Sequence, residues 1–441
     1  MTFPQNRLRL LSGNNTINKM TKQEKSWVMY DWANSVYSVI MMAVVFPVYF
    51  TGTVNAVQND QSGDFWWSIG TIIAMVIAAI CAPFIGAFAD YKGYKRKLFI
   101  AFLALGLCFT LFSAVVDHWP LMLLGYILSN VGFTGSCLVY DSFLTDVTTT
   151  DRMDVISGYG YAFGYIGGST IPFLFFIMLM QFGSHFNINN IMAVKISLVV
   201  TVIWWFGFSI PFLKNIKQKH YIEKPEHSIF NNTIKAVKQT ASKIFHNKTI
   251  FYFMLAYFFY IDGVGTVIHM STSYGTTLGL DAAKMILALL VTQLVAFPCA
   301  IIFSRLSKRF GSLKMLTIAV CVYLGICCIG FIMGFGLEEN MFSVNTAQLL
   351  FWILAFLVGT VQGGIQAISR SHFGKLIPPE NSGEFFGFYD IFGKFAAVLG
   401  PALYALTKSI TGRSSFSILS LVVLFLAALI IMGMQRSKMR V

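Results

Sequence analysis

The chain has 441 residues, of which 56% are hydrophobic and only 12% charged, with a mean hydropathy of +0.67 and a net charge of +13. A soluble globular chain carries roughly 25% charged residues. Half that share, together with 43 phenylalanines, excludes an ordinary water-soluble domain and leaves an integral membrane protein.

Residues 1–25 are polar and basic, with no apolar core ahead of a small-residue cleavage site, so no cleaved signal peptide is expected. Apolar stretches long enough to cross a bilayer, about 20 residues each, then follow at 26–50, 66–89, 98–116, 119–144, 155–180 and 191–213. After a break they resume at 249–276, 283–304, 314–336, 347–371, 384–408 and 414–434. The predicted fold class is therefore an all-α membrane bundle of twelve spans. Its domains are a tail (1–25), a six-helix half (26–213), a linker (214–248), a second six-helix half (249–434) and a short tail (435–441).

The first span opens with "YDWANSVYS", and Asp31, Asn34, Ser35 and Ser38 fall on one helical face. The short loop after the second span reads "GAFADYKGYKRK", with Gly86, Asp90, Gly93, Lys95 and Arg96. Its glycines permit a tight turn and close helix approach. Asp90 can accept hydrogen bonds at a neighbouring helix N-terminus. In the fourth span Asn130, Thr134 and Asp141 share a face. Trp66, Trp67, Trp204 and Trp205 read as anchors at the membrane interface.

The linker holds eight lysines. Within it Phe230, Ile234, Val237, Ala241, Ile244 and Phe245 share one face, which predicts an amphipathic helix lying on the inner membrane surface. The seventh span repeats the pattern of the first, with Asp262, Thr266, His269 and Ser273 in one stripe. After the eighth span, "SRLSKRFGSLK" puts Ser304, Lys308, Gly311 and Lys314 in the places of the earlier loop, and Lys308 stands where Asp90 stood. In the eleventh span Asp390 and Lys394 are an i, i+4 pair.

Two offsets relate the halves. An offset of 229 pairs Gly158, Gly164 and Pro172 with Gly387, Gly393 and Pro401, and also Gly135 with Gly364 and Ser142 with Ser371. An offset of 231 pairs Asp31 with Asp262, Ser35 with Thr266 and Val36 with Val267. This is a parallel duplication of two six-span halves. Most of the 32 Lys and Arg, including Lys92, Lys95, Arg96, the linker lysines, Arg305, Lys308, Arg370 and Lys375, fall on one side of such a bundle. The positive-inside rule then predicts both termini and the linker in the cytoplasm, and a cell-membrane location. The charge is a topology signal and not a nucleic-acid footprint.

An ionised Asp at mid-bilayer costs roughly 2.5–3.5 kcal/mol on insertion scales, so the polar stripes must meet a wet cavity, a partner charge or a proton. The expectation is that Asp31, Asn34, Ser35, Asp141, Asp262, Thr266, His269, Asp390 and Lys394 line a substrate and proton pathway, with the Asp31 and Asp262 stripes facing each other across it. Gly86, Asp90, Gly93, Lys95 and Arg96 are the expected gating loop. The seven cysteines show no metal-ligand spacing and read as packing residues, so neither metal nor cofactor is expected. No phosphate-binding G-x-x-x-x-G-K-[ST] motif, zinc-protease H-E-x-x-H or nucleophile G-x-S-x-G occurs. An enzyme is not expected. The reading is a secondary transporter of a small solute, with protons favoured as coupling ion and a monomer in the bilayer. A uniporter, an exchanger or a solute sensor on the same fold are the alternatives.

The "GAFADYKGYKRK" loop resembles the signature of the major facilitator superfamily. "YDWANSVY", "SGYGYAFGYIGG" and "SRSHFGKLIPPENSGEFFGFYDIFGKFAAVLGP" are similar to its vacuole-effluxer, or unknown-major-facilitator, branch. The resemblance spans nearly the whole chain. It implies a twelve-helix bundle working by alternating access, with an amino-acid-like cargo and efflux as its direction.

Overall fold

A computed structural model of the chain describes residues 20–59, 62–224 and 229–438. The basic tail residues Arg7, Arg9, Lys19 and Arg440, expected on the inner side, lie outside the described residues. The chain crosses as twelve helical units. They are α1 (Lys22–Gln58), α2 (Gly63–Ala89), α3 (Tyr94–Val115), α4 (Trp119–Val147), α5 (Met153–Phe186) and α6 (Asn190–Asn215). The second half holds α7 (Lys248–Thr277), α8 (Ala282–Phe310), α9 (Ser312–Glu338), α10 (Val344–Leu376), α11 (Ser382–Thr411) and α12 (Ser414–Gln435). Eleven of these are long and apolar enough to span a membrane. The remaining one, α11, has the length, but Glu384, Asp390, Lys394 and Lys408 dilute its apolar character. Extended pairing among the described residues is limited to one isolated bridge, Tyr91 with Ile222.

Sequence explains the boundaries. The first helix starts four residues before the predicted span because Thr21 caps it. Its hydroxyl accepts from Glu24 N at 3.1 Å and its N–H donates to the Glu24 carboxylate at 2.7 Å, a reciprocal capping box. Gly93 turns the α2–α3 loop with φ of 77°, a conformation that favours glycine. Two helices of the first half are interrupted by wider, π-helical turns, Ser38–Ala43 in α1 and Gly164–Thr170 in α5. In α5 the turn precedes Pro172, which has no N–H to donate. The Thr170 hydroxyl bonds the Tyr165 carbonyl at 2.7 Å, satisfying an acceptor in that turn.

Each half packs its own core. Trp27, Tyr30, Tyr37, Tyr140, Trp205 and Phe212 anchor the first, and Tyr260, Tyr323, Phe373 and Phe425 the second. Trp205 is therefore not an interfacial anchor: it is fully buried against Tyr37, and Trp204 stacks on Trp32. The halves meet most extensively where α2 packs on α11 and α8 on α5, and α10 also packs on α5. The linker helix Ile229–His246 packs beneath α2, α7 and α11. Its Thr233, Thr240 and Ile244 are buried, whereas Phe245 is exposed. The expected apolar face is thus partly taken up by protein contact and not given wholly to lipid. This helix marks one end of the bundle, the linker end.

Candidate functional site

Arg370 organises the interior. It lies in the last two turns of α10, and its side chain is only 3% exposed. Its Nη2 reaches Asp31 Oδ2 of α1 at 3.0 Å and its Nη1 reaches Asp141 Oδ1 of α4 at 2.9 Å. Its Nε donates to Ser157 Oγ of α5 at 2.9 Å. The guanidinium plane lies 4.5 Å from the Tyr161 ring centre and 4.6 Å from that of Trp27. A rigid five-donor fork with two flat faces is the side chain suited to such a place, where a lysine would satisfy fewer partners. One residue of the second half thereby holds three helices of the first.

Sequence reasoning placed Arg370 among the cytoplasmic charges, and the structure corrects this. The signal was present: the offset of 229 that pairs Gly135 with Gly364 also pairs Asp141 with Arg370. Residues related by a two-fold axis that touch each other lie at the axis, so this ion pair marks the centre of the bundle.

The network floors a cavity with two adjoining lobes that share part of their lining. One, of about 350 Å³, is lined by Asp31, Asn34, Ser35 and Ser38 on the α1 face. The other, of about 490 Å³, is lined by Thr266, His269, Asp390 and Lys394. Asp141, Tyr161, Gln362, Gln366 and Arg370 border both. Lys394 and Asp390 are ion-paired on the wall of the larger lobe. The space therefore holds cations and carboxylates side by side, with two glutamines between them. Gln362, Gln366 and Tyr161 were not anticipated, since an uncharged residue in an apolar helix carries no distinguishing pattern.

Asp262 does not join this group. It is 1% exposed, and its Oδ2 accepts from Gly400 N of α11 at 2.7 Å. Its other oxygen has no partner. A Cβ at position 400 would come within 2.0 Å of Thr266 Oγ1, so the approach needs glycine. The Asp31 stripe lines one lobe and part of the Asp262 stripe the other, but the Asp262 carboxylate itself does not face Asp31. Asp262 turns to the α11 backbone, and of its stripe Thr266 and His269 reach the cavity.

The linker end is tied shut by polar bonds. Asp90 accepts from Gly383 N at 2.7 Å and Glu384 N at 2.9 Å, the first N–H groups of α11, where a carboxylate meets the positive end of the helix dipole. Burial pushes the Asp90 carboxyl up to about 7, against the pull of Lys95 and of these two N–H groups. Gly86 packs directly on Gly383. Lys95 is fully buried and bridges Asp146 and Ser382, each at 2.9 Å. Asp146 also accepts from the linker N–H groups of Lys219 and His220. Gly93 N donates to Gln218 of the linker, and Arg96 donates to the Leu213 carbonyl. At the other seam Asp154 takes Lys375, Ser371, Ser307 and Ser312. All seven cysteines are free, and the described residues hold no cluster able to bind a metal ion.

The sequence profile of the family described as "Vacuole effluxer Atg22 like" matches residues 68–151 and 145–439. The chain belongs to that family. It is 42% identical over 424 residues to an MFS-type transporter of Bacillus subtilis (strain 168), YxiO, covering 94% of this chain and 95% of that one. It is 25% identical to Autophagy-related protein 22 of Cryptococcus neoformans, covering 65% of this chain and half of that protein. Among solved structures it is similar to a bacterial homologue of the iron transporter ferroportin in an outward-facing state, with a TM-score of 0.70, 10% identity and coverage of 94% and 99%. It is also similar to the major facilitator transporter FucP in the outward conformation, with a TM-score of 0.65, 14% identity and coverage of 94% and 97%. The fold of this vacuole-effluxer relative is the two-halved major facilitator bundle. It is a multi-pass membrane transporter and not an enzyme.

Proposed function

We propose that this protein is a secondary active transporter of a small zwitterionic, amino-acid-like solute, coupled to protons, working by alternating access with its linker end in the cytoplasm. The observation that carries this reading is Arg370, shared between Asp31 and Asp141 across the two halves at the floor of the cavity. A solute carboxylate competes for Arg370 or Lys394, and a solute ammonium competes for Asp141 or Asp390. Binding then exchanges internal ion pairs for solute ion pairs, which supplies the difference in affinity that an alternating conformation requires. A proton on Asp31 or Asp141 releases Arg370 in the same way, so solute and proton act on one lock. Among structural neighbours, one is titled a fucose:proton symporter and another a proton:xylose symporter. The basic linker end fits the cytoplasmic side. In that frame the conformation described is closed inward, with efflux and uptake equally served by the geometry.

The test is counterflow in reconstituted vesicles with a panel of radiolabelled amino acids and sugars, with and without an imposed pH gradient. Saturable counterflow of amino acids and gradient-driven accumulation are expected. Counterflow without any response to the gradient makes the protein a uniporter or exchanger. Binding without counterflow makes it a sensor. Orientation is read separately, from an impermeant thiol reagent on cells carrying single cysteines at Gln218 or Asn59 on a background freed of native thiols. Labelling at 59 and not at 218 is expected, and the reverse overturns the assignment.

A further inference from the structure

The two seams of the bundle are related by the duplication but not by charge. At the α2–α11 seam, Asp90 caps the first N–H groups of α11. At the α8–α5 seam, Lys308 stands in the place of Asp90. The offset of 229 puts Asp154 and Val155 of α5 in the places of Gly383 and Glu384. A lysine cannot cap helix N–H groups, and the start of α5 has no side-chain cap. A cleft of about 210 Å³ opens there, lined by Arg152, Val155, Ile156, Tyr159, Arg305 and Lys308, with Met20 at its rim.

Its charges are unevenly matched. Arg152 is held by Glu24 at 2.8 Å. Among the described residues, Arg305 meets the Tyr159 hydroxyl and ring. Lys308 acts on Asp151 through charge, and that carboxylate already accepts from Thr149 at 2.6 Å. Arg305 and Lys308 are exposed on α8. On the neighbouring face of α8, Ile302 is 54% exposed, and Leu306 and Phe310 are exposed too. Two cations beside such an apolar strip, at the end of a membrane helix, lie at the depth of lipid phosphates.

We propose that this cleft binds the phosphate of an anionic lipid headgroup, which stands at the α8–α5 seam where Asp90 stands at the α2–α11 seam. The phosphate oxygens meet Arg305, Lys308 and the uncapped start of α5, a favourable place for an anion, while the acyl chains run along Ile302 and Leu306. The bound lipid completes the second latch of the linker-end-closed state. This goes beyond the transport reading and does not depend on the cargo.

The experiment uses the full chain purified in phosphatidylcholine-doped micelles. Native mass spectrometry reads retained phosphatidylglycerol, and thermal unfolding reads the shift when phosphatidylglycerol replaces phosphatidylcholine. A retained phosphatidylglycerol and a raised melting temperature are expected for the parent, with inorganic phosphate giving no such rise. Arg305→Gln and Lys308→Gln are each expected to lose both the retained lipid and the rise, with unchanged melting in phosphatidylcholine alone. If Lys308→Gln does not fold, Arg305→Gln reads the same site. A parent indifferent to phosphatidylglycerol, or an Arg305→Gln variant that keeps lipid and rise, overturns the site. A rise with inorganic phosphate equal to that with lipid overturns the lipid as its source.

Discussion

Helices α1 and α7 began as copies, and their local chemistry is still the same. Ser35 donates to the Asp31 carbonyl at 2.7 Å, and Thr266 donates to the Asp262 carbonyl at 2.8 Å. The two carboxylates have nevertheless parted. Asp31 shares Arg370 with Asp141 at the cavity floor, whereas Asp262 sits dry against Gly400 with one oxygen unpaired. Their neighbours diverged in the same way. Before Pro172, α5 widens into a π turn. Before its repeat mate Pro401, α11 keeps its helix, and the Gly400 N–H goes to Asp262. The difference teaches that duplication preserves what a helix does to itself, while the partner helix decides whether a carboxylate is countered by charge or left to a proton.

The largest way to break this comparison is to remove the counter-charge. Arg370→Gln leaves Asp31 and Asp141 facing each other inside the bundle. Breaking a buried ion pair from one side costs about 3–5 kcal/mol. A fall in melting temperature and loss of counterflow are expected, read by thermal unfolding and vesicle assay. Arg370→Lys keeps the charge but loses the fork, so it should recover part of the stability and little of the transport. If Arg370→Gln melts and transports as the parent does, the cross-half bridge is not what holds the closed state.

Asp31→Asn against Asp262→Asn sharpens it further. Asp31→Asn removes one charge-assisted bond, worth about 1.5–3 kcal/mol, and should weaken solute binding or gating. Asp262→Asn replaces a carboxylate that has no cation beside it, so the stability change should stay below that of Asp31→Asn. Asp262 is a buried carboxyl with the Gly400 N–H on one oxygen and no partner on the other. Lying outside the Arg370 lock, Asp262 is at most a second proton site, so we expect Asp262→Asn to lower accumulation driven by a pH gradient while solute exchange continues. Accumulation equal to the parent's in that variant would leave Asp262 with packing alone.

Much of this was legible in the sequence. Twelve spans, the doubled architecture and the α2–α3 loop follow from hydropathy, glycine spacing and charge. The structure adds what periodicity does not contain. A stripe on α7 has a direction on its own helix, but only the approach of Gly400 shows that Asp262 points away from the cavity. An arginine two turns from a helix end looks like a flanking cation in any hydropathy reading. Its mate at the offset of 229 carries the opposite charge, so a search for like residues passes over Asp141 and Arg370. The π turns of α1 and α5 are equally silent, because they depend on how the chain relieves a proline or a bend.

The smallest expected effect lies at the α2–α11 seam, where the duplicated loops differ by Asp90 against Lys308. Asp90 uses both oxygens, one on Gly383 N and one on Glu384 N. In Asp90→Asn one oxygen remains, and the new amide turns a donor toward a donor. The variant also removes the negative charge from the start of α11, an interaction worth about 0.3–1 kcal/mol at a surface and up to about 2 when partly buried. Lys95 keeps its own bonds to Asp146 and Ser382, so the loop stays in place. The closed linker end should therefore lose about 1–2 kcal/mol, a factor of 5–30 in its population, while the amount of folded protein in the membrane hardly changes. Transport should slow, because one of the two end states is no longer held as firmly as the cycle requires. The rate of counterflow, normalised to protein in the vesicles, measures this. A parental rate in Asp90→Asn would show that the Gly86–Gly383 contact and the Lys95 bridge close the seam without it.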